Sequence, residues 1–133
     1  MADKSGHYTP KGWAQEAIDL YYDINADAIV VETNFGADMV EDTIYGLDSN
    51  VIVETVHASK GKTQRAEPVV AKYEQDEVRH ATKLPELEMQ MCTWKHGSTI
   101  SPGRIDALVW GMTYLKERVD VYKDWQFGYH EIE

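Results

Sequence analysis

The run "ADAIVVETNFGADMV" at residues 26–40 constrains the fold more than any other part of the chain. Its apolar residues, 28–31, are rich in β-branched side chains and predict a short, buried strand in the centre of a sheet. The strand stops at Glu32, and Gly36 opens a pattern typical of a helix. A second apolar run at 51–57 predicts another strand. This order predicts an α/β fold with at least one right-handed parallel crossover.

Apolar residues at helical spacing predict five helices around the two strands. Two of these helices begin with an N-cap residue followed by proline, at Thr9-Pro10 and Ser101-Pro102. Met39 and Leu115 are expected on inward faces. In chain order, the predicted elements are a helix from 10 to about 24, a strand at 27–33, a helix at 36–47, a strand at 51–57, a helix at 64–75, an extended piece at 77–81, a helix through 84–94 and a helix at 101–115.

Length and composition narrow the class of protein. A chain of 133 residues predicts one domain with a substantial core. The single Cys92 excludes an internal disulfide framework and a cysteine-based zinc cluster, and it fits a reducing cytoplasm. No apolar stretch is long enough to cross a membrane, and the N-terminus lacks the apolar centre of a signal peptide. We therefore expect a cytoplasmic protein with no membrane partner.

The charge of the chain is strongly negative overall but unevenly distributed. A net charge of −10 is unfavourable for nucleic-acid binding, because phosphate contacts need a basic surface. Residues 58–83, however, contain six of the 13 lysines and arginines. A local basic stripe on an acidic body is therefore compatible with the sequence, and a solvated basic loop is the other interpretation.

Two carboxylates stand out by their positions. Glu32 lies at the carboxyl end of the first strand, the edge where open α/β sheets bind ligands. It is equally explained as a solvated strand-end acid or a cap for the next helix. Asp106 lies in an apolar helical stretch, where an unpaired carboxylate is costly. The alternatives for Asp106 are an exposed stripe or a buried pair with Arg104 or Lys116. Together the two acids are elements of a site for a hard cation such as Mg²⁺.

Three separated blocks carry a family resemblance. They are E-x-N-x-G after a strand, K-x-x-R-A-x-P before a helix, and S-P-x-R-x-D-A-L-V-W. In this order they resemble the C-terminal nuclease domain of the large terminase subunit of tailed bacteriophages, over residues 3 to 115. The resemblance implies an α/β, ribonuclease H-like (integrase-like) nuclease fold that cuts concatemeric viral DNA during packaging. It divides the chain into a nuclease domain at 3–117 and an acidic, aromatic tail at 118–133.

The resemblance also implies a site and partners. Glu32 and Asp106 become catalytic ligands of Mg²⁺ or Mn²⁺, and Asn34 either orients Glu32 or a metal-bound water, or caps the following helix. The implied partners are double-stranded DNA, the terminase ATPase domain and the packaging machinery in the cytoplasm of a bacterial host. Arg104 contacts DNA or pairs with an acid. The implied DNA-binding residues are Lys60, Lys62, Arg65 and Arg104.

One departure from the family pattern shapes the remaining expectations. In the family the first metal-binding aspartate lies on a strand that precedes the part matched here, so we expect an N-terminally truncated domain, from a fragment or a prophage gene. Missing strands would expose a sheet edge that invites pairing, which predicts a homo-oligomer. Two other functions stay open. One is a catalytically inactive prophage remnant that acts as an oligomeric interaction module, and the other is an unrelated α/β protein that binds a small ligand.

Overall fold

A computed structural model describes residues 2–33, 37–95 and 102–127 of the chain. It contains five helices and two strands in the described part, in an alternating order at the N-terminal side and as consecutive helices afterwards. The elements are α1 (Pro10–Asp23), β1 (Ile29–Glu32), α2 (Ala37–Tyr45), β2 (Val53–Val56), α3 (Lys62–Glu74), α4 (Pro85–Thr93) and α5 (Gly103–Phe127).

The two strands form a parallel sheet, so the predicted parallel crossover is confirmed, with α2 as its connection. Ile29 is opposite Val53 and Glu32 is opposite Val56. The pairing continues past the strand end, because the Thr33 amide donates to the Val56 carbonyl at 2.9 Å. Within the described residues, β1 pairs with β2 on one edge and has no strand on its other edge. The prediction that β1 lies in the centre of a sheet is therefore not reproduced in the described part of the chain.

The first helix begins as predicted. Thr9 has an extended backbone, and its side-chain oxygen accepts a hydrogen bond from the Gly12 amide at 3.1 Å while Pro10 occupies the first turn. This arrangement satisfies an amide that would otherwise lack a partner at the helix start. It fixes where α1 begins.

Apolar side chains form two separate cores. The first core joins α1, α2 and the residues before β2, and its buried members are Ala14, Ile18, Ile44 and Val51. The second core joins α3, α4 and α5, and its buried members are Ala66, Val69, Leu84, Leu87, Ile105 and Val109. The helical half of the chain thus has an apolar core of its own, and α5 joins this half to the sheet through contacts with β1.

Several predicted details differ from the structure. Met39 and Leu115 are exposed rather than inward-facing. Met39 lies beside the buried stripe of α2, whereas Leu115 lies on the apolar face of α5 but beyond the part of that face that α3 and α4 cover. Helix α3 begins two residues before its predicted start and runs through Pro68. Helix α5 continues to Phe127, beyond its predicted end at 115.

No helix in the described ranges combines the length and the apolar character that crossing a bilayer requires.

Candidate active site

The sheet determines the position of Glu32. It is the last residue of β1, and its side chain is 23% exposed at the carboxyl edge of the two strands. Buried Thr33 follows it and is tied to the neighbouring strand through the His57 ring, whose Nδ1 lies 2.8 Å from the threonine hydroxyl. These contacts hold the backbone just beyond Glu32, and so they limit where the carboxylate can point.

Asp106 is delivered by the first turn of α5. Its apolar neighbours predict a costly position within a helix, but the helix begins at Gly103, so Asp106 lies near its amino end. A carboxylate is favourable there because the free amides and the helix dipole attract negative charge. Its side chain is 17% exposed, which leaves it accessible to an ion or substrate.

The Arg65 guanidinium brings the two carboxylates together. Its Nη1 lies 3.3 Å from Glu32 Oε1 and its Nη2 lies 3.8 Å from Asp106 Oδ1, and the arginine side chain is only 7% exposed. The guanidinium also stacks over the Trp110 ring at 4.4 Å from the ring centre. One arginine side chain therefore forms ion pairs with an acid from a strand and an acid from a helix that is distant in sequence.

Lys62 provides a second positive charge at Asp106. It lies in the first turn of α3 and forms an ion pair with the carboxylate, while its own side chain is half exposed. Pairing of Asp106 with Arg104 or Lys116 was one alternative from the sequence, but its partners in the structure are Lys62 and Arg65. Lys60 lies in the loop before α3 and is exposed, as expected for a residue that could contact a phosphate.

Arg104 points elsewhere. Its Nε donates to Asp3 Oδ2 at 2.6 Å, and its Nη2 pairs with Glu86. The hydrogen bond to Asp3 is the main cause of the raised pKa of Arg104. Burial opposes ionisation of Asp3, but hydrogen bonds from Ser5 and Arg104 outweigh it and lower the pKa of the Asp3 carboxyl. Of the two interpretations of Arg104, the structure contains the acid pair, and DNA contact stays a prediction.

Glu32 and Asp106 line a common cavity of about 300 Å³. Trp110 forms part of its wall, together with Val30, Gly103 and Gly111. Two carboxylates facing one open cavity fit Mg²⁺, which usually takes one or two protein carboxylates and keeps waters or phosphate oxygens as its other ligands. No group of three or more histidine, cysteine or acidic side chains suited to a metal lies within 2–33, 37–95 and 102–127.

The sequence did not predict two features of the site. Trp110 and the double contact of Arg65 were missed. Arg65 precedes Val69 by four residues and therefore shares the face that α3 buries, which is a signal the sequence contains. Asn34 lies outside the described residues, so its predicted contact with Glu32 or a metal-bound water stays a prediction.

Comparison with known proteins adds one finding. A family model described as a terminase RNaseH-like domain matches residues 6–115, which include Glu32, Arg65 and Asp106. The chain gives no significant match to a curated protein or to a solved structure.

Proposed function

The chain belongs to the terminase RNaseH-like domain family, and from this membership we propose that it is the nuclease domain of a phage DNA-packaging terminase. The proposed reaction is hydrolysis of phosphodiester bonds in concatemeric double-stranded DNA, assisted by Mg²⁺ or Mn²⁺. By the same proposal its partners are DNA, the terminase ATPase domain and the packaging machinery, in the cytoplasm of a bacterial host.

One observation carries this proposal. Glu32 and Asp106, contributed by β1 and α5, meet at the Arg65 guanidinium and face a common cavity. Carboxylates that only make a protein soluble are normally exposed and dispersed over its surface, and they do not converge on one cavity from separate elements. A site for phosphodiester hydrolysis needs this convergence, because the oxygen ligands must share the ions they bind.

The proposed roles follow from these positions. When bound, the divalent ions lower the pKa of a coordinated water and stabilise the charge that develops on the leaving oxygen. Glu32 and Asp106 would hold the ions, and Arg65 would keep the two carboxylates close to each other. Lys62 is half exposed, so it can leave Asp106 and contact a DNA phosphate with little loss of buried surface.

The test is cleavage of supercoiled plasmid in Mg²⁺, Mn²⁺ or EDTA by the wild type, Glu32→Gln and Asp106→Asn. We expect metal-dependent nicking that falls at least about a hundredfold in each variant, as when a group that positions a catalytic ion is removed. Matched controls are Glu74→Gln and Asp42→Asn, which neutralise exposed acids outside the cavity. Circular dichroism would verify that every variant is folded.

The opposite result has a definite meaning. If folded wild-type protein does not cleave with either metal, or if the two site variants cleave as well as the controls, the nuclease proposal is wrong for this chain.

A second candidate is the catalytically inactive interaction module. It is favoured by the cationic partners that both carboxylates already have, and by the edge of β1 that lacks a strand partner within the described residues. Such an edge can pair with a second copy of the chain. Light scattering that gives a stable homo-oligomer, combined with absence of cleavage, would favour this candidate, whereas a monomer at high concentration would oppose it.

A further inference from the structure

A second cavity lies next to the acidic one and has the opposite charge. Its volume is about 350 Å³, and it is bounded by α3, α5 and the loop that follows β2. Trp110 lines both cavities, and Arg65 lines this one while contacting the two acids of the other. The two cavities are therefore neighbours across a wall formed by these two stacked side chains.

Three lysines surround the second cavity, one from each bounding element. Lys60 comes from the loop, Lys72 from α3 and Lys116 from α5. Lys72 has an acidic partner, Glu77, at 2.8 Å. In the part of the chain that the structure describes, neither Lys60 nor Lys116 forms an ion pair. Glu117 is the acid that lines the cavity, so the lining is positive on a chain whose net charge is −10.

This concentration of charge needs an explanation, because like charges converging on one cleft repel one another. An anion bound in the cavity would remove that repulsion. Lysine ammonium groups contact phosphate as mobile point charges, and they track a phosphate backbone without reading sequence. A polymer with phosphates along its length can occupy the lysine-lined cavity and the acidic cavity at the same time, which a small anion cannot do.

We infer that the cavity lined by Lys60, Lys72 and Lys116 binds backbone phosphates of DNA next to the bond held at the acidic cavity. The inference rests on the proposed nuclease function for the identity of the ligand. It adds Lys72 and Lys116 to the residues expected to contact DNA. The bound DNA strand would then run from the lysine-lined cavity past Trp110 to Glu32 and Asp106.

The experiment measures binding without chemistry. Fluorescence anisotropy of a short labelled DNA duplex is recorded in EDTA over a series of salt concentrations. The test variant is the double substitution Lys60→Gln/Lys116→Gln. The matched control is Lys11→Gln/Lys83→Gln, which changes the net charge equally at exposed lysines that do not line either cavity.

We expect the test variant to lose affinity and salt dependence together. Each phosphate contact contributes about 0.9 to the slope of log affinity against log salt, so two lost contacts correspond to a slope smaller by roughly two and an affinity lower by about 60-fold near 0.1 M salt. The control should lower the affinity by no more than about twofold and leave the slope essentially unchanged, since exposed charges far from the duplex are screened.

Other outcomes overturn the inference. Equal losses in the two double variants would mean that net charge alone governs binding, and absence of wild-type binding in EDTA would mean that the cavity holds no DNA. Failure of the nuclease proposal is distinguishable, because it would appear as absent cleavage while the binding difference between the variants persists.

Discussion

Replacing Arg65 with glutamine tests whether the chain's own cation holds the acidic site together. The guanidinium is almost fully buried and lies 3.3 Å and 3.8 Å from Glu32 and Asp106. At an effective dielectric constant near 20, each contact has a gross attraction of about 4 to 5 kcal/mol. Desolvation cancels most of it, but removing one partner of a buried pair leaves the others uncompensated, at a cost of about 3 to 5 kcal/mol. Because both carboxylates keep some solvent contact, we expect a loss of about 2 to 4 kcal/mol.

Urea denaturation measures this loss as the change in the free energy of unfolding. The matched control is Arg79→Gln, since Arg79 pairs with Asp76 on the exposed surface, and such pairs contribute about 0 to 1 kcal/mol. Similar losses in both variants would refute the claim that Arg65 organises the site.

The same variant gives a metal test that does not depend on activity. Without the guanidinium, Glu32 and Asp106 face each other with less positive charge between them, so Mg²⁺ should bind the variant more tightly than the wild type. At a concentration about 100 times its dissociation constant, a bound ion adds about 2.7 kcal/mol to the free energy of unfolding. If Mg²⁺ stabilises neither protein, the two acids are not a cation site.

Two further predictions concern stability away from the site. Thr9→Ala removes the acceptor of the Gly12 amide and should lower the free energy of unfolding by about 1 kcal/mol in thermal or urea melts, whereas Thr9→Ser should retain most of it. Hydrogen bonds from His80 and from the Leu84 amide lower the pKa of Glu88 below its ordinary value of 4.5. The resulting stabilisation is therefore complete above pH 4.5 and is lost as the pH falls through the lowered pKa. Melts of Glu88→Gln should have a flatter pH dependence below 4.5 than the wild type, and parallel curves would contradict this assignment.

The positions of Glu32 and Asp106 were accessible from the sequence because local signals determine them. A β-branched run ends at Glu32, and the apolar periodicity around Asp106 predicts that it lies on a helix, although its position in the first turn of α5 came only from the structure. The start of α1 at Thr9 was likewise confirmed because capping depends on a few neighbouring residues. Family membership was recognisable for a similar reason, since each motif is a short local block.

The partners of these residues were not accessible, because they come from distant parts of the chain. Arg65 meets Glu32 only after α5 packs on β1 and α3 packs on α5, and the Asp3 partner of Arg104 is 101 residues away. The exposure of Leu115 has a similar origin, because only the packing of α5 on α3 and α4 decides where its buried stripe ends. Spacing along one helix predicts an apolar face but not the extent of the neighbour that covers it.

The division of the apolar interior into two cores has a consequence for how the molecule opens. Glu32 belongs to the half built on Ala14, Ile18 and Ile44, whereas Arg65 and Asp106 belong to the other half. Regions with separate apolar contacts can open as separate cooperative units with different free energies. Local opening of either half therefore separates the acids while leaving most of the other half intact. We therefore expect the population of the assembled site to depend on the less stable half rather than on the global free energy of unfolding.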